Sequence, residues 1–536
     1  MLEENLVRLY EQTFNSCRGL TAFSDWEAGS ITYAEASAEI LRLHAFFEAG
    51  GVPRGAKIAL LGKNSTRWAL VYLAVITSGR VIVPILPDFL PADSLKIILH
   101  SDAVLLFVSD HHWAQLESQK LGGLSAAVSL TDFSVLAHAP SVPDKLPPTA
   151  NQPENIRFPE VSNKETAAVI YTSGTTGNPK GVMLSHNCLI ANVRYARTWI
   201  PLESGDTIVS FLPLAHVFGC AFEFLFPVSS GCHITFLGRI PSPQTVMAAF
   251  AKVKPRLILS VPLVIERIYQ KQIKSLLAKP IVSFLMKVPG PRGILRDIIK
   301  KKLTRAFGGN FREIVIGGAA FSPDVEKFLM TIGFRFTVGY GMTECGPLIS
   351  YCPWDVYRSQ SCGRIVDTLE LRIDSPDPSS VPGEVLVRGE NVLDGYYKNP
   401  EETARSLDRD GWLHTGDMGT VDKDGFLYLK GRLKNMILGP SGQNIYPEEI
   451  EAAANNLPKV LETLCLDRGS RIVCLVVPDP EQTASLSRSA LEALMEENRV
   501  LLNSRLPAYS RVAAFELMPE EFEKTASKKI KRFLYS

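Results

Sequence analysis

The chain has 536 residues, 46% of them hydrophobic and 21% charged, the make-up of a globular protein too long for one core, so several subdomains are expected. Its net charge of +1 excludes wholesale nucleic-acid binding and confines any basic surface to a local patch. The nine cysteines show no C-x-x-C spacing and no histidines at zinc-finger distances, which reads as free thiols in a reducing compartment.

Along the chain, the segment 1–14 carries Glu3, Glu4 and Glu11 and lacks the basic-then-apolar order of a secretory signal, so a cytoplasmic protein is expected. Short β-rich runs at 57–61, 104–108, 167–171, 233–237, 257–261 and 314–316 recur between helical stretches. That alternation predicts an α/β body with largely parallel sheets covered on both faces. The apolar stretches 68–86 and 211–236 are interrupted by Gly79 and Arg80 and by Glu223 and Pro227, too early for a bilayer span. Beyond about Ser375 the strand and turn signals crowd together at 384–388, 422–425 and 426–430, predicting a small antiparallel subdomain. Pro447 followed by Glu448 and Glu449 then starts a helix, because proline suits the first turn and acids complement the helix N-terminus. A separate C-terminal α+β lobe is expected from about Arg432. Pro- and Ser-rich linkers fall near 140–153 and 375–382.

The most informative segment is Tyr171-Thr172-Ser173-Gly174-Thr175-Thr176-Gly177-Asn178-Pro179-Lys180-Gly181, which follows a buried strand. Glycines let the backbone fold into an N–H-lined concavity, hydroxyls add donors, and Lys180 adds charge, a combination suited to polyphosphate. A Walker A loop is excluded, since Pro179 occupies the place of the glycine that must precede the lysine. Taken alone, the segment is also compatible with a surface turn.

Four later motifs follow: Gly339-Tyr340-Gly341-Met342-Thr343-Glu344, Thr415-Gly416-Asp417, Gly431-Arg432-Leu433-Lys434 and Lys529-Ile530-Lys531-Arg532. Together with the loop, and in this order, they resemble the adenylate-forming superfamily of acyl-CoA synthetases, luciferases and peptide-synthetase adenylation domains. The resemblance implies a large N-terminal AMP-binding domain, 1–431, and a small mobile C-terminal domain, 432–536, hinged at Lys434. It also implies ATP, Mg²⁺ and coenzyme A as reactants or cofactors. Thr172 to Gly177 and Lys180 would hold phosphates. Gly318, Ala319, Tyr340, Gly341 and Met342 would shape the adenine site, with Thr343 on the α-phosphate and Glu344 as the Mg²⁺ ligand. Asp417 would accept from the ribose hydroxyls, assisted by Arg432. Lys529 would be the adenylation lysine. Lys528 stands where the family usually has glycine and is a rival for that role.

The runs Phe211-Leu212-Pro213-Leu214-Ala215-His216 and Val261-Pro262-Leu263-Val264-Ile265-Glu266-Arg267 look like long-chain fatty acyl-CoA synthetases, which implies a fatty acid substrate with His216 near its carboxylate. The acceptor could instead be an acyl carrier protein. A third reading is a non-catalytic nucleotide-binding adaptor. Residues 267–305 contain eleven Lys or Arg and one acid, Asp297, interleaved with Ile265, Ile268, Tyr269, Ile273, Leu276 and Leu277 at helical spacing. This region could rest on an anionic membrane, giving a peripheral location at its inner face, or could form a solvated basic face.

Overall fold

Strand residues that alternate between two apolar faces build the body of the protein. In the strand Lys57–Leu61, Ile58 and Leu60 join the central core while Ala59 and Leu61 join an outer one. In Leu257–Ser260, Leu257 and Leu259 face the same central core and Ile258 faces a second outer core. Strands buried on both faces read as continuous apolar runs, which is why they were legible. The computed structural model describes residues 1–535 except 117–121, 150–151, 153, 173–178, 239–241, 275–276, 278, 286–287, 289, 440–442, 470 and 526–528; at 243, 271–272, 274, 281 and 283 it describes backbone alone.

Two large sheets result. The eight-stranded sheet runs in the order Gly395–Tyr396, Lys180–Ser185, Thr166–Thr172, Val81–Ile85, Lys57–Leu61, Ala103–Val108, Ala126–Ser129 and Val135–His138. The seven-stranded sheet places Phe336–Val338, Glu313–Ile316, Leu257–Ser260, Thr207–Ser210 and His233–Phe236 before the N-terminal strands Thr21–Asp25 and Ser30–Thr32. Their centres are parallel, as expected, but hairpins make the edges antiparallel, including the pair Thr166–Thr172 and Lys180–Ser185 on either side of the Gly- and Thr-rich segment. Helices Tyr33–Ala49, Thr66–Thr77 and His186–Trp199 fill the space between the sheets and share the central core. The Thr66–Thr77 helix is buried at every residue except Arg67, which accounts for the apolar stretch at 68–86. Among the described residues no helix is long and apolar enough to cross a membrane.

The antiparallel subdomain is a four-stranded sheet of Leu369–Asp374, Gly383–Gly389, Leu413–Val421 and Leu427–Arg432. The residues after it build their own cores around the sheet Val460–Asp467, Ile472–Pro478 and Val512–Leu517, with helices Pro447–Ala454 and Arg488–Asn503.

Two expectations need correction. Cys465 and Cys474 are not free thiols: they stand opposite each other in antiparallel register, with Cα atoms 4.1 Å apart, and form a disulfide. The hairpin brings together cysteines whose spacing carries no motif. The apolar stripe in the basic region also faces inward. Ile265 and Ile273 are buried, and Ile268, Tyr269 and Leu277 pack on the outer core of the seven-stranded sheet; Leu276 lies outside the described residues.

Candidate active site

The segment expected to hold phosphates joins Thr172 to Lys180, which lie opposite each other across the antiparallel pair. Ser173, Gly174, Thr175, Thr176 and Gly177 lie outside the described residues. Lys180 is mostly buried and forms an ion pair with Glu402, with its ammonium 5.9 Å from the centre of the Tyr396 ring. Glu402 stands in the first turn of the helix Pro400–Ser406, where Asn399 caps its backbone N–H at 3.0 Å. Burial, then the charge of Arg405, lowers the Lys180 pKa, while Glu344 opposes the shift.

The turn after the strand Glu313–Ile316 exposes Gly318 and Ala319, and Gly318 has φ of 90°, a conformation that favours glycine. The turn abuts the Tyr340 motif, since the Gly339 N–H donates to the Ile316 carbonyl at 2.9 Å. Gly341 admits no side chain, because a Cβ would stand 2.1 Å from the Pro347 carbonyl oxygen. The Met342 N–H donates to that same carbonyl at 2.9 Å. Thr343 and Glu344 follow in a single 3₁₀ turn, Thr343–Cys345, and the Tyr396 hydroxyl donates to Glu344 Oε1 at 2.9 Å.

Asp417 is buried at the end of a polar chain. The Tyr340 hydroxyl donates to its Oδ2 at 2.6 Å, and Arg432 Nε pairs with its Oδ1 at 2.7 Å. Strand register produces this pairing, since Asp417 and Arg432 are directly opposite across Leu413–Val421 and Leu427–Arg432. Burial raises the Asp417 pKa, opposed by Arg432, Tyr340 and Lys529.

Lys529 comes from the C-terminal tail. The tail folds back on itself through the Thr525 N–H donating to the Lys529 carbonyl at 2.8 Å. It is fastened to the lobe by Arg532, which pairs with Glu451 at 2.5 Å and donates to the Cys465 carbonyl at 2.7 Å. Lys529 is exposed to solvent, with enough protein around it to perturb its charge. Its surroundings lower its pKa, through desolvation first and then Arg432, against the attraction of Asp417 and Glu344. Lys434 is likewise lowered by desolvation and by Arg432, Lys529, Lys180 and Arg532. Five cations from three segments thus lie within electrostatic reach of Lys434 or one another, around the carboxylates Glu344 and Asp417. Lys528 lies outside the described residues.

His216 closes the other side. Its pKa falls to about 4 through desolvation and then the charge of Lys529, so the imidazole is neutral at neutral pH. The segment leading to it is held by two buried side chains, Asn64 and Glu223, the latter legible in the sequence only as an interruption of an apolar stretch. Glu223, 1% exposed in the π-helix Cys220–Leu225, accepts from the Phe211 and Leu212 N–H groups at 3.0 Å each. Asn64 donates to the Leu212 carbonyl at 2.7 Å and accepts from the Leu214 N–H at 3.0 Å. Tyr396 and Glu402 were also missed. An acid at a helix start reads as a capping signal, and nothing in the sequence pairs it with Lys180.

A large α/β body and a small lobe whose tail lysine reaches a site of opposed cations and carboxylates define a nucleotide-handling enzyme. The model of the AMP-binding enzyme family matches residues 10–397, and the chain belongs to that family. It is 28% identical over 478 residues to the long-chain-fatty-acid–CoA ligase FadD15 of Mycobacterium bovis, covering 84% of this chain and 78% of that one. It is 27% identical over 575 residues to the chloroplastic long-chain-fatty-acid–[acyl-carrier-protein] ligase AEE15 of Arabidopsis thaliana, covering 91% and 77%. Among solved structures, the anthranilate CoA ligase AuaEII in complex with anthranoyl-AMP superposes with a TM-score of 0.80 at 22% identity, covering 100% of this chain and 97% of that one.

Proposed function

We propose that the protein activates a long-chain fatty acid with ATP to an acyl adenylate and then transfers the acyl group to coenzyme A. Its main support is the convergence of Lys529 with His216, Glu344, Asp417 and Arg432 on one site. The relatives' names supply the acid class.

In the first step a carboxylate oxygen attacks the α-phosphorus, an O–P bond forms, and the bond to the pyrophosphate oxygen breaks. Negative charge builds on the phosphoryl oxygens, where Lys529 and Lys180 stabilise it, as does Thr343 by hydrogen bonding. The Nδ1 of neutral His216 accepts from the Phe218 N–H at 3.3 Å, which leaves Nε2–H to donate to the incoming carboxylate without adding a charge that would hold it in the ground state. Asp417 and Arg432 position the ribose, with Tyr340 and the Gly318–Ala319 turn at adenine. Glu344 suits Mg²⁺, because that ion takes one or two carboxylates and completes its shell with phosphates and water. No cluster of three His, Cys, Asp or Glu exists among the described residues to cage a metal alone. When bound, Mg²⁺ would neutralise phosphate charge. In the second step a thiol sulfur attacks the adenylate carbonyl and AMP leaves, so no enzyme nucleophile is required.

The same reading makes 1–431 and 432–536 the two working domains. Rotation near Lys434 would withdraw Lys529 and admit the thiol between steps. An acyl carrier protein is the second acceptor to consider, because AEE15 is named for one. AMP and pyrophosphate release should be measured with acids from acetate to oleate, giving either coenzyme A or holo-carrier protein. Turnover peaking at long chains with coenzyme A is expected. A carrier-only response would change the acceptor, and silence with every acid would leave a non-catalytic adaptor.

A further inference from the structure

Lys180 and Glu402 stand 222 positions apart, yet the fold ties their segments together. The strand Gly395–Tyr396 pairs with Lys180–Ser185, placing Gly395 opposite Met183 and Tyr396 opposite Val182. One residue on, the Tyr397 N–H donates to the Gly181 carbonyl at 2.7 Å. The helix Pro400–Ser406 is then fastened to that strand by Thr403, whose hydroxyl accepts from the Tyr396 N–H and donates to the Asn399 carbonyl, each at 2.9 Å. Backbone pairing therefore aims the Glu402 carboxylate at Lys180. Both side chains are withdrawn from water, 12% exposed for Glu402 and 19% for Lys180. Freely exposed ion pairs contribute little, because water screens them and two flexible chains must be ordered. This pair is sheltered, and an ammonium without its partner there would be left poorly hydrated.

Glu402 also has a second cation. Arg405, 72% exposed and one turn along the same helix, pairs with it from the solvent side. The carboxylate therefore keeps a partner when Lys180 turns to another anion. The Lys180 ammonium lies 5.9 Å from the centre of the Tyr396 ring, and the hydroxyl of that ring donates to Glu344 at 2.9 Å. One short segment, 396–402, thus reaches both the lysine assigned to phosphate and the carboxylate assigned to the metal. A free lysine loses rotamer freedom when it is fixed on a phosphate, whereas in the paired lysine that loss has already occurred.

We infer that Glu402 is a positioning residue for adenylation, holding the Lys180 ammonium ordered beside the phosphate site and yielding it to the nucleotide while Arg405 retains the carboxylate. This role deepens the ligase reading above and depends on it. Glu402→Gln, Lys180→Met and the double variant, each in the full chain, should be compared by acid-dependent pyrophosphate exchange. Calorimetric binding of ATP without acid and thermal unfolding complete the comparison. Glutamine leaves the lysine charged but unheld, so exchange at saturating ATP should fall about 10- to 100-fold, less than the roughly 10²–10³ for outright loss of a positioned donor. Because the Glu402 carboxylate repels phosphates, the Kd for ATP in Glu402→Gln should stay within about threefold of wild type or tighten. In the Lys180→Met background the same substitution should bring no further loss of exchange, since a residue acting through another is not additive with it. An equal loss in both backgrounds, a weaker Kd that accounts for the whole effect, or a Glu402→Gln chain that does not fold would each overturn the role and leave Glu402 a structural tie between helix and sheet. Full exchange in Glu402→Gln would overturn it as well. A wild type silent with every acid would remove the ligase reading and this role together, whereas an active wild type with additive variants removes this role alone.

Discussion

Glu223 offers the sharpest test of how the site is held, because its two neutral substitutes should behave differently. Its side chain supplies the acceptor for two N–H groups, the buried one of Phe211 and the partly buried one of Leu212. Alanine leaves both unsatisfied at about 1–3 kcal/mol each, so Glu223→Ala should cost about 2–6 kcal/mol before any cavity is counted. Burial raises the carboxyl pKa well above 4.5, and no cation is among the groups acting on it. The group is therefore held toward its neutral form, which glutamine resembles, and Glu223→Gln should keep one oxygen acceptor for both N–H groups at a cost within about 1 kcal/mol. The pH dependence has a definite sign. A raised folded pKa stabilises the fold fully below about 4.5, and that contribution is lost as pH rises through the folded value. Urea unfolding of wild type and Glu223→Gln across pH should therefore show the wild type losing ground to the variant above about pH 4.5. Pyrophosphate exchange should survive in the glutamine variant and collapse in the alanine variant. A glutamine variant as unstable as alanine, or a difference flat with pH, would refute the assignment of a neutral clasp under His216.

Two further outcomes are expected. Asp417→Asn removes a charged acceptor proposed for the ribose, worth about 1.5–3 kcal/mol, so the KM for ATP should rise about 10- to 150-fold. The KM for the acid should stay within a factor of a few, and equal increases in both would contradict a ribose role. Buried His44 and His186 have pKa values lowered to about 4, each through desolvation first. Unfolded histidines protonate near 6.5, so each contributes stability present above that value and lost progressively as pH falls toward 4, about 2 kcal/mol at pH 5. Thermal unfolding from pH 7 to 5 should show this loss, reduced in His186→Leu relative to its own value at pH 7.

The elements legible in the sequence were those whose signal is local. The strand Lys57–Leu61 and the helix start at Pro447 were read from apolar runs and capping chemistry. Asp417 and Arg432 were read as members of motifs 15 residues apart, but their pairing comes from strand register. Lys529 could be named from the tail, whereas its company, His216, Glu344 and Asp417, is assembled only when the lobe meets the body. Glu402, Tyr396, Glu223 and Asn64 carry no spacing signal, because their partners are fixed by tertiary packing. The Cys465–Cys474 bond and the inward stripe at 265–277 failed for the same reason. Periodicity shows that a helix has an apolar face but not which neighbour covers it.

The central claim is that Lys529 serves adenylation and not thioester formation. Lys529→Ala should be assayed for acid-dependent pyrophosphate exchange and, separately, for acyl-CoA formation from a supplied acyl adenylate. The account predicts that exchange falls about 10²–10³-fold, as for loss of one positioned electrostatic group, while the supplied adenylate is converted within a few-fold of the wild-type rate. Unimpaired exchange, or equal loss of both half-reactions, would contradict it.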